Sequence, residues 1–315
     1  AIVNALAIDP ANSSIIYSGC GHSAGTAVPL YKSTDGGLSW QESSEGMPGK
    51  PVRYGVWGSG PGDVYVLRHT GSIPKGGEDD MQISHYGPGW SQIHIGESAP
   101  LYDIWGNAGS NIFAVGENGT ILRFNGSSWV PMASGTTRNL HGIWGSAISS
   151  NSVVAVGENG TILRFNGSGW SPMAGNSTRN LRSVWGNTNG SIFFAVGSYG
   201  AILYYDGSNW TSMISGTNVP LEDVWGSSEA DVFAVGDATL VGTTRYYTVL
   251  HFNGTEWSRM GTPSVPAGQS GKLRGIWGSS ADDVWAAGDD GIILHYNGSN
   301  WTPVTSGTKA ALFDI

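Results

Sequence analysis

Along most of the chain, β-branched and aromatic residues alternate with small or polar ones at a period of two, in short runs closed by Gly, Asn or Asp. No window carries the apolar period of an amphipathic helix. The stretch from Ile276 to Trp301 shows the pattern most clearly. It predicts a strand A through Trp277-Gly278, a strand B over Asp283–Gly288, a strand C over Ile292–Asn297 and a strand D from Trp301. The B to C link is a tight Gly-Glu-Asn-Gly or Gly-Asp-Asp-Gly. The C to D link is Asn-Gly or Asp-Gly, as at Asn125-Gly126, Asn166-Gly167, Asp206-Gly207, Asn253-Gly254 and Asn297-Gly298. Both links offer the positive-φ residues that a tight hairpin between right-twisted strands needs.

This unit repeats. The Trp-Gly pair returns at Trp57, Trp105, Trp144, Trp185, Trp225 and Trp277, with steps of 39, 41 and 40 residues between the most regular copies. A second Trp follows each last turn, at Trp40, Trp90, Trp129, Trp170, Trp210, Trp257 and Trp301, which makes seven units. A period near forty residues with four strands per unit is that of a propeller blade. The expected fold is all-β, a seven-bladed β-propeller of four-stranded antiparallel blades, which closure frees of open sheet edges. One domain, 1–315, divides into blades at roughly 1–48, 49–98, 99–137, 138–178, 179–217, 218–268 and 269–308, with 309–315 as an extra strand. That last segment reads Ala311-Leu312-Phe313-Asp314-Ile315 and matches Leu101-Tyr102-Asp103-Ile104, the opening of a strand A. The repeated Trp residues, fixed in register beside Gly, read as packing between blades rather than as a sugar platform.

The first unit carries a different motif, Ser33-Thr34-Asp35-Gly36-Gly37-Leu38-Ser39-Trp40, which is similar to the Asp-box of sialidase-like (BNR) repeats. The Trp-Gly units resemble divergent repeats of secreted bacterial propellers and of photosystem II assembly-factor-like proteins. The resemblance covers essentially the whole chain and implies the propeller fold, with the Asp and Ser of the Asp-box bonding backbone amides on a blade's outer turn. It implies no single activity, because Asp-boxes occur in hydrolases, lyases and binding modules alike. A sialidase would show an Arg-Ile-Pro signature. Here only Arg53, in Pro51-Val52-Arg53-Tyr54, stands near that place.

Composition narrows the partners. The formal charge is −9, with 15 Lys and Arg spread along the chain, so the phosphate neutralisation behind nucleic-acid affinity is missing and anionic lipid is disfavoured. No apolar run approaches the roughly 20 residues of a membrane span. Cys20 is the single cysteine, which excludes an intramolecular disulfide and a Cys-based zinc site. A charged fraction of 12%, 49 Gly and 14 Trp suggest a secreted or cell-surface protein, with the periplasm as an alternative. Eleven Asn-x-Ser/Thr sequons are explained mostly by hairpin turns. Asp63, Asp231 and Asp283 occupy equivalent A to B turns, where Asn111, Ser152 and Ser191 substitute, so they read as turn caps rather than calcium ligands. Glu78-Asp79-Asp80 is the better cation candidate. The seven histidines come from different strand positions, and no metal site or cofactor is expected.

Loop length points to one face. The B to C link swells at Gly19 to Val28, Arg68 to Gln82 and Gly236 to Thr248, and the D to A link at Ser44 to Arg53 and Gly261 to Arg274; all emerge at the same end of an antiparallel blade. Long loops on a rigid scaffold are where binding residues usually sit. At the start of strand A, the residue after the leading apolar one varies from copy to copy: Tyr54, Tyr102, His141, Arg182, Glu222, Arg274. These six should ring the mouth of the central channel on the long-loop face, a polar, aromatic-edged cup suited to a sugar or an anionic group. Arg245, Tyr246 and Tyr247, in the unit 6 insertion, are candidates for a stacking contact. The expected function is a non-catalytic binding module for a glycan or a protein, with no catalytic residue assigned. The alternatives are a polysaccharide lyase or glycosidase at the channel mouth, using His141 or Glu222 with Asp103 or Asp223, and a scaffold domain of a larger surface protein or assembly.

Overall fold

The computed structural model describes residues 2–8, 14–21, 30–35, 39, 41–43, 52–60, 63–69, 81–86, 90–93, 99–108, 111–149, 151–306, 309 and 311–313, several strands of the first two blades by their backbone only. These residues form seven four-stranded sheets, each antiparallel and each in sequence order. The A strands are Ile2–Ile8, Val52–Gly60, Leu101–Ala108, Leu140–Gly145, Leu181–Gly186, Leu221–Ser228 and Leu273–Ser280. From the first blade to the seventh, each A strand touches the A strand of the next, so these strands are innermost and bound the central channel.

Burial explains why the strands read as they do. Strand B lies between two neighbouring strands and between two neighbouring blades, and Val153–Gly157 and Phe193–Gly197 are buried at every position. Such strands carry continuous apolar runs rather than an alternation. Strand D is outermost, and in Trp129–Pro131 only the Trp is buried. The core is a set of layers between blades: one joins Phe113, Val115 and Ile121 of blade 3 to Leu140, Ile143 and Leu163 of blade 4.

The Trp-Gly pair has a direct steric reason. Trp105 and Trp144 lie with ring centroids 6.3 Å apart, Trp144 and Trp185 6.4 Å, and Trp225 and Trp277 6.5 Å. The indoles of Trp105, Trp185 and Trp225 rest on the glycine of the following blade, whereas Gly186 is filled by Phe193 of its own blade. A Cβ on Gly145 would stand 2.6 Å from the ring of Trp105, and one on Gly226 2.8 Å from that of Trp185. Gly226→Ala therefore forces a methyl group into a filled seam, and we expect it to cost about 1–3 kcal/mol in denaturant unfolding, with the native fold retained.

The turns refine the sequence reading. In the B to C links Glu117–Gly119, Glu158–Gly160, Ser198–Gly200 and Asp289–Gly291, the middle residue and the glycine both have positive φ, as at Asn118 (55°) and Gly119 (73°). In the C to D links only the glycine does, for example Gly126 at 94°. The preceding Asn125 acts instead through its side chain, whose Oδ1 accepts from the amides of Ser127 and Ser128 at 3.0 Å each. In the first unit, Asp35 Oδ1 accepts from the Ser39 amide at 2.9 Å, and the Asp35 amide donates to Ser33 Oγ at 3.3 Å.

Two expectations change. The unit 6 insertion is not a loop but a long hairpin, Asp231–Val241 paired with Thr244–Phe252. The turn-cap reading of Asp231 and Asp283 holds in part, since they accept from Ser227 Oγ and Ser279 Oγ across their own turns. These carboxylates reach across to strand C, where His251 Nε2 lies 2.6 Å from Asp231 Oδ1 and His295 Nε2 2.8 Å from Asp283 Oδ1. Burial alone would raise the Asp283 carboxyl, yet bonds from Ser279, His295 and Trp285 hold it below its ordinary value. Asp63 keeps only its backbone within the described residues. The histidines also scatter less than expected: His85, His251 and His295 share one register position, opposite Tyr65, Phe233 and Trp285, while His69 and His141 lie on other strands.

Candidate functional site

The six variable residues of strand A have one backbone feature in common. Strand A pairs with strand B through a register shift at this point in every blade, between Val3 and Ala5, Val52 and Gly55, Leu101 and Asp103, Leu140 and Gly142, Leu181 and Ser183, Leu221 and Asp223, and Leu273 and Gly275. The residue skipped is Tyr102, His141, Arg182, Glu222 or Arg274. In blade 2, Arg53 and Tyr54 are skipped together, and in blade 1, Asn4. A bulge frees its residue from the ladder and re-aims the side chain. The leading Leu beneath stays fully buried, at Leu101, Leu140, Leu181, Leu221 and Leu273. Blades 3 to 7 thus anchor with the Leu and free the next residue from the ladder.

The structure gathers the described side chains into three contact groups, Tyr102 with His141, Arg182 with Glu222 and Lys272, and Arg274 with Asp289. The rings of Tyr102 and His141 lie 5.3 Å apart. Burial lowers the His141 pKa and the Arg182 charge lowers it further, against the opposing carboxylates of Glu158 and Glu222. Arg182 Nη1 donates to Glu222 Oε2 at 2.7 Å, and Lys272 Nζ donates to Glu222 Oε1 at 2.7 Å. Lys272 also pairs with Asp237 Oδ1 at 3.2 Å. Arg274 Nε donates to Asp289 Oδ1 at 2.5 Å. The side chain of Tyr54 lies outside the described residues, as do Glu78, Asp79 and Asp80.

These pairings correct the picture of a cup with open cations. Among the described residues, Arg182, Lys272 and Arg274 are each paired with a carboxylate. The contact groups also include residues that the sequence reading left out. Lys272 stands just before the leading Leu, where other blades carry Pro100, Asn139, Asn180 and Pro220. A comparison of that column would have found it. The segment Ala311–Phe313 does not form a strand but runs beside the seventh sheet, where the Leu312 amide donates to Gly288 O at 2.9 Å. Leu312 is buried like the leading Leu of a blade, and the Phe313 ring lies 4.5 Å from the Arg274 guanidinium carbon. Phe313 therefore sets an aromatic ring beside Arg274.

The unit 6 candidates separate. Tyr247 is only 1% exposed, packed with Phe233 and Val249 in the core between blades 6 and 7, so it has no face to offer a ligand. Arg245 Nη1 donates to Gln269 O at 2.9 Å and its Nη2 donates to Ser270 O, which fastens the hairpin to the loop entering blade 7. Tyr246 is half-buried beneath the Arg259 guanidinium.

Below the mouth, Asp103 and Asp223 tie blades together. Asp103 accepts from its neighbour Ile104 and from Ile143 of the next blade, both at 2.8 Å. Asp223 accepts from the amides of Val224 and Ile276 at 2.9 Å each, and from Ser183 Oγ at 2.6 Å. Burial pushes the Asp103 carboxyl up to about 7 against the pull of those amides, and the Asp223 charge adds to the rise. Burial likewise raises Asp223.

No family model and no curated protein matches the sequence. Solved structures match its shape. YCF48 bound to a D1 peptide aligns with a TM-score of 0.66 at 17% identity, over 94% of this chain and 91% of that one. YCF48 from Cyanidioschyzon merolae aligns at 0.63 and 14%, over 94% and 95%. The protein is a β-propeller. An ancestral GH74 enzyme aligns at 0.66 and 16%, over 99% of this chain but 46% of the enzyme, so the chain spans about half that enzyme's length. At such identities the likeness is one of fold, and the chemistry must be read from the propeller's own residues.

Among the described residues, one Ser, one His and one Asp meet at strands A to C of blade 7. Ser279 and His295 both bind Asp283, which leaves the serine and the imidazole on opposite sides of the carboxylate instead of in contact with one another. Among the described residues, no group of three or more His, Cys, Asp or Glu could hold a metal ion, and no helix is long and apolar enough to cross a membrane.

Proposed function

We propose that this propeller is a non-catalytic binding module, secreted or displayed at a cell surface, that takes a segment of a protein partner at the channel mouth on its long-loop face. The bulge near the start of strand A carries this reading: in blades 3 to 7 it presents side chains that differ, above a leading Leu that does not. The mouth joins aromatic rings (Tyr102, His141, Phe313) to internally paired charges, a surface that can exchange ion pairs with a peptide. The similar fold of YCF48, whose structure is described as bound to a D1 peptide, supports a peptide over a glycan.

A glycosidase pair would need one carboxyl to act as acid and another to attack or activate water. Here Glu222 is held by two cations, and Asp103 and Asp223 are held by amides of two blades.

The test is a screen of peptide and glycan arrays with the wild-type chain beside an Arg182→Ala/Arg274→Ala variant. We expect peptide binding that the double change weakens about tenfold or more. Binding confined to glycans would overturn the choice of ligand. Cleavage of a polysaccharide that His141→Ala abolishes would overturn the non-catalytic reading.

A further inference from the structure

Away from the mouth, the long-loop face of blade 5 carries an open groove of about 800 Å³. Its walls include Asn176 and Arg179 from the link entering the blade, Tyr199 from the B to C turn, Met213 and Ile214 at the end of strand D, and Thr239 from the blade 6 hairpin. Three features set it apart from the corresponding parts of other blades.

The first is apolar exposure. Ile214 is 88% exposed and Tyr199 67%, and Leu240 and Val241 are exposed just beyond Thr239. Ile214 stands where blades 3 and 4 carry Ala133 and Ala174. The second is backbone. Tyr199 has φ 57°, the left-handed conformation that Asn118, Asn159 and Asp290 occupy in the equivalent turns. Asn and Asp visit that region readily and a bulky Tyr does not, so the ring is held out at the groove at a conformational cost. The third is charge. The turn begins with Glu117, Glu158 or Asp289 in blades 3, 4 and 7 but with Ser198 in blade 5. Arg179 remains: it stands over the Tyr199 ring at 5.6 Å and donates to the Tyr199 carbonyl, and no Asp or Glu lines the groove. In a chain of net charge −9, this is a local cation framed by exposed apolar side chains.

We propose that this groove binds an extended peptide segment in which an acidic side chain lies between large apolar ones, the acid toward Arg179 and the apolar groups against Tyr199 and Ile214. Opposite charge favours the acid, and removal of Tyr199 and Ile214 from water drives the contact. The site is separate from the channel mouth and stands or falls independently of it.

The test uses fluorescein-labelled short peptides with a central Leu-Asp-Phe or Leu-Glu-Phe, beside isosteric Leu-Asn-Phe and Leu-Gln-Phe controls, in anisotropy titrations. The chain should bind the acidic peptides at least about tenfold more tightly than the amide controls. Tyr199→Asn/Ile214→Ala, which restores the residues of blade 3, should lose that binding while melting no lower than wild type, because Asn suits the left-handed turn. Arg182→Ala/Arg274→Ala should retain it. Equal affinity for acidic and amide peptides, binding unchanged in Tyr199→Asn/Ile214→Ala, or no binding of any acidic peptide would overturn the proposal.

Discussion

Trp210→Ala should lower the stability of the propeller by about 3–5 kcal/mol in denaturant unfolding, the range for truncating a buried Trp. Trp210 opens the outer strand of blade 5 and is 2% exposed. Its ring lies 5.3 Å from Tyr205 and 6.3 Å from Phe193, and its Nε1 donates to the sulfur of Met173 on blade 4 at 3.5 Å. One side chain thus holds the outer strand to its own sheet and to the blade before it. The cavity left by Ala cannot collapse easily, because strands B and C of the blade are buried and paired on both edges. A loss below about 1 kcal/mol would show that the outer Trp residues are surface features rather than inter-blade packing.

The second large effect depends on pH. In the folded protein Asp103 holds its proton up to about 7, whereas in the unfolded chain it releases it near 3.8. Between those values the folded state carries a proton that the unfolded state lacks, so the contribution is present in acid and is lost as pH rises to about 7. Over the part of that window from pH 5 to about 7, the loss is on the order of 3 kcal/mol. Asp223 shifts in the same direction and adds to it. Asp283 is lowered, and its contribution is lost only in stronger acid, below this window. Urea unfolding at pH 5 and pH 8 should show the wild type more stable at pH 5, with the difference much reduced in Asp103→Asn. The amide also lowers stability at both values, since it can accept from only one of the amides of Ile104 and Ile143 that the carboxyl satisfies. An unchanged difference in the variant would mean that Asp103 is ionised in the fold at neutral pH.

Much of the propeller was legible because its repeat reports packing. The Trp-Gly column reflects an indole set on the next blade's glycine at Gly145, Gly226 and Gly278, and the apolar strand B reflects burial on both faces. The variable residue after the leading Leu could also be found by comparing copies, but the bulge that frees it could not, since a register shift leaves no mark in composition. Nor could its ion partners be read, because Lys272 and Asp289 reach the mouth from separate links that only the folded sheets bring together. The blade 6 insertion was read as a loop because its strand residues include Thr, Gly and Asp. Tyr247 was misassigned for the same reason, since its burial depends on the hairpin lying against blade 7. Tyr199 and Ile214 were within reach of the same comparison between copies, but they lie in turn and strand-end columns, where variation is easily taken for surface drift.

The central claim is that the bulged residues form the binding surface, and cross-linking from that surface tests it most directly. A photo-reactive phenylalanine analogue at position 141 should capture a bound partner peptide, with the peptide found by mass spectrometry joined to residue 141, and the same analogue at the opposite-face position 148 should capture none. Capture at 148 but not at 141, with binding intact in both proteins, would contradict the account and place recognition on the face of the short turns.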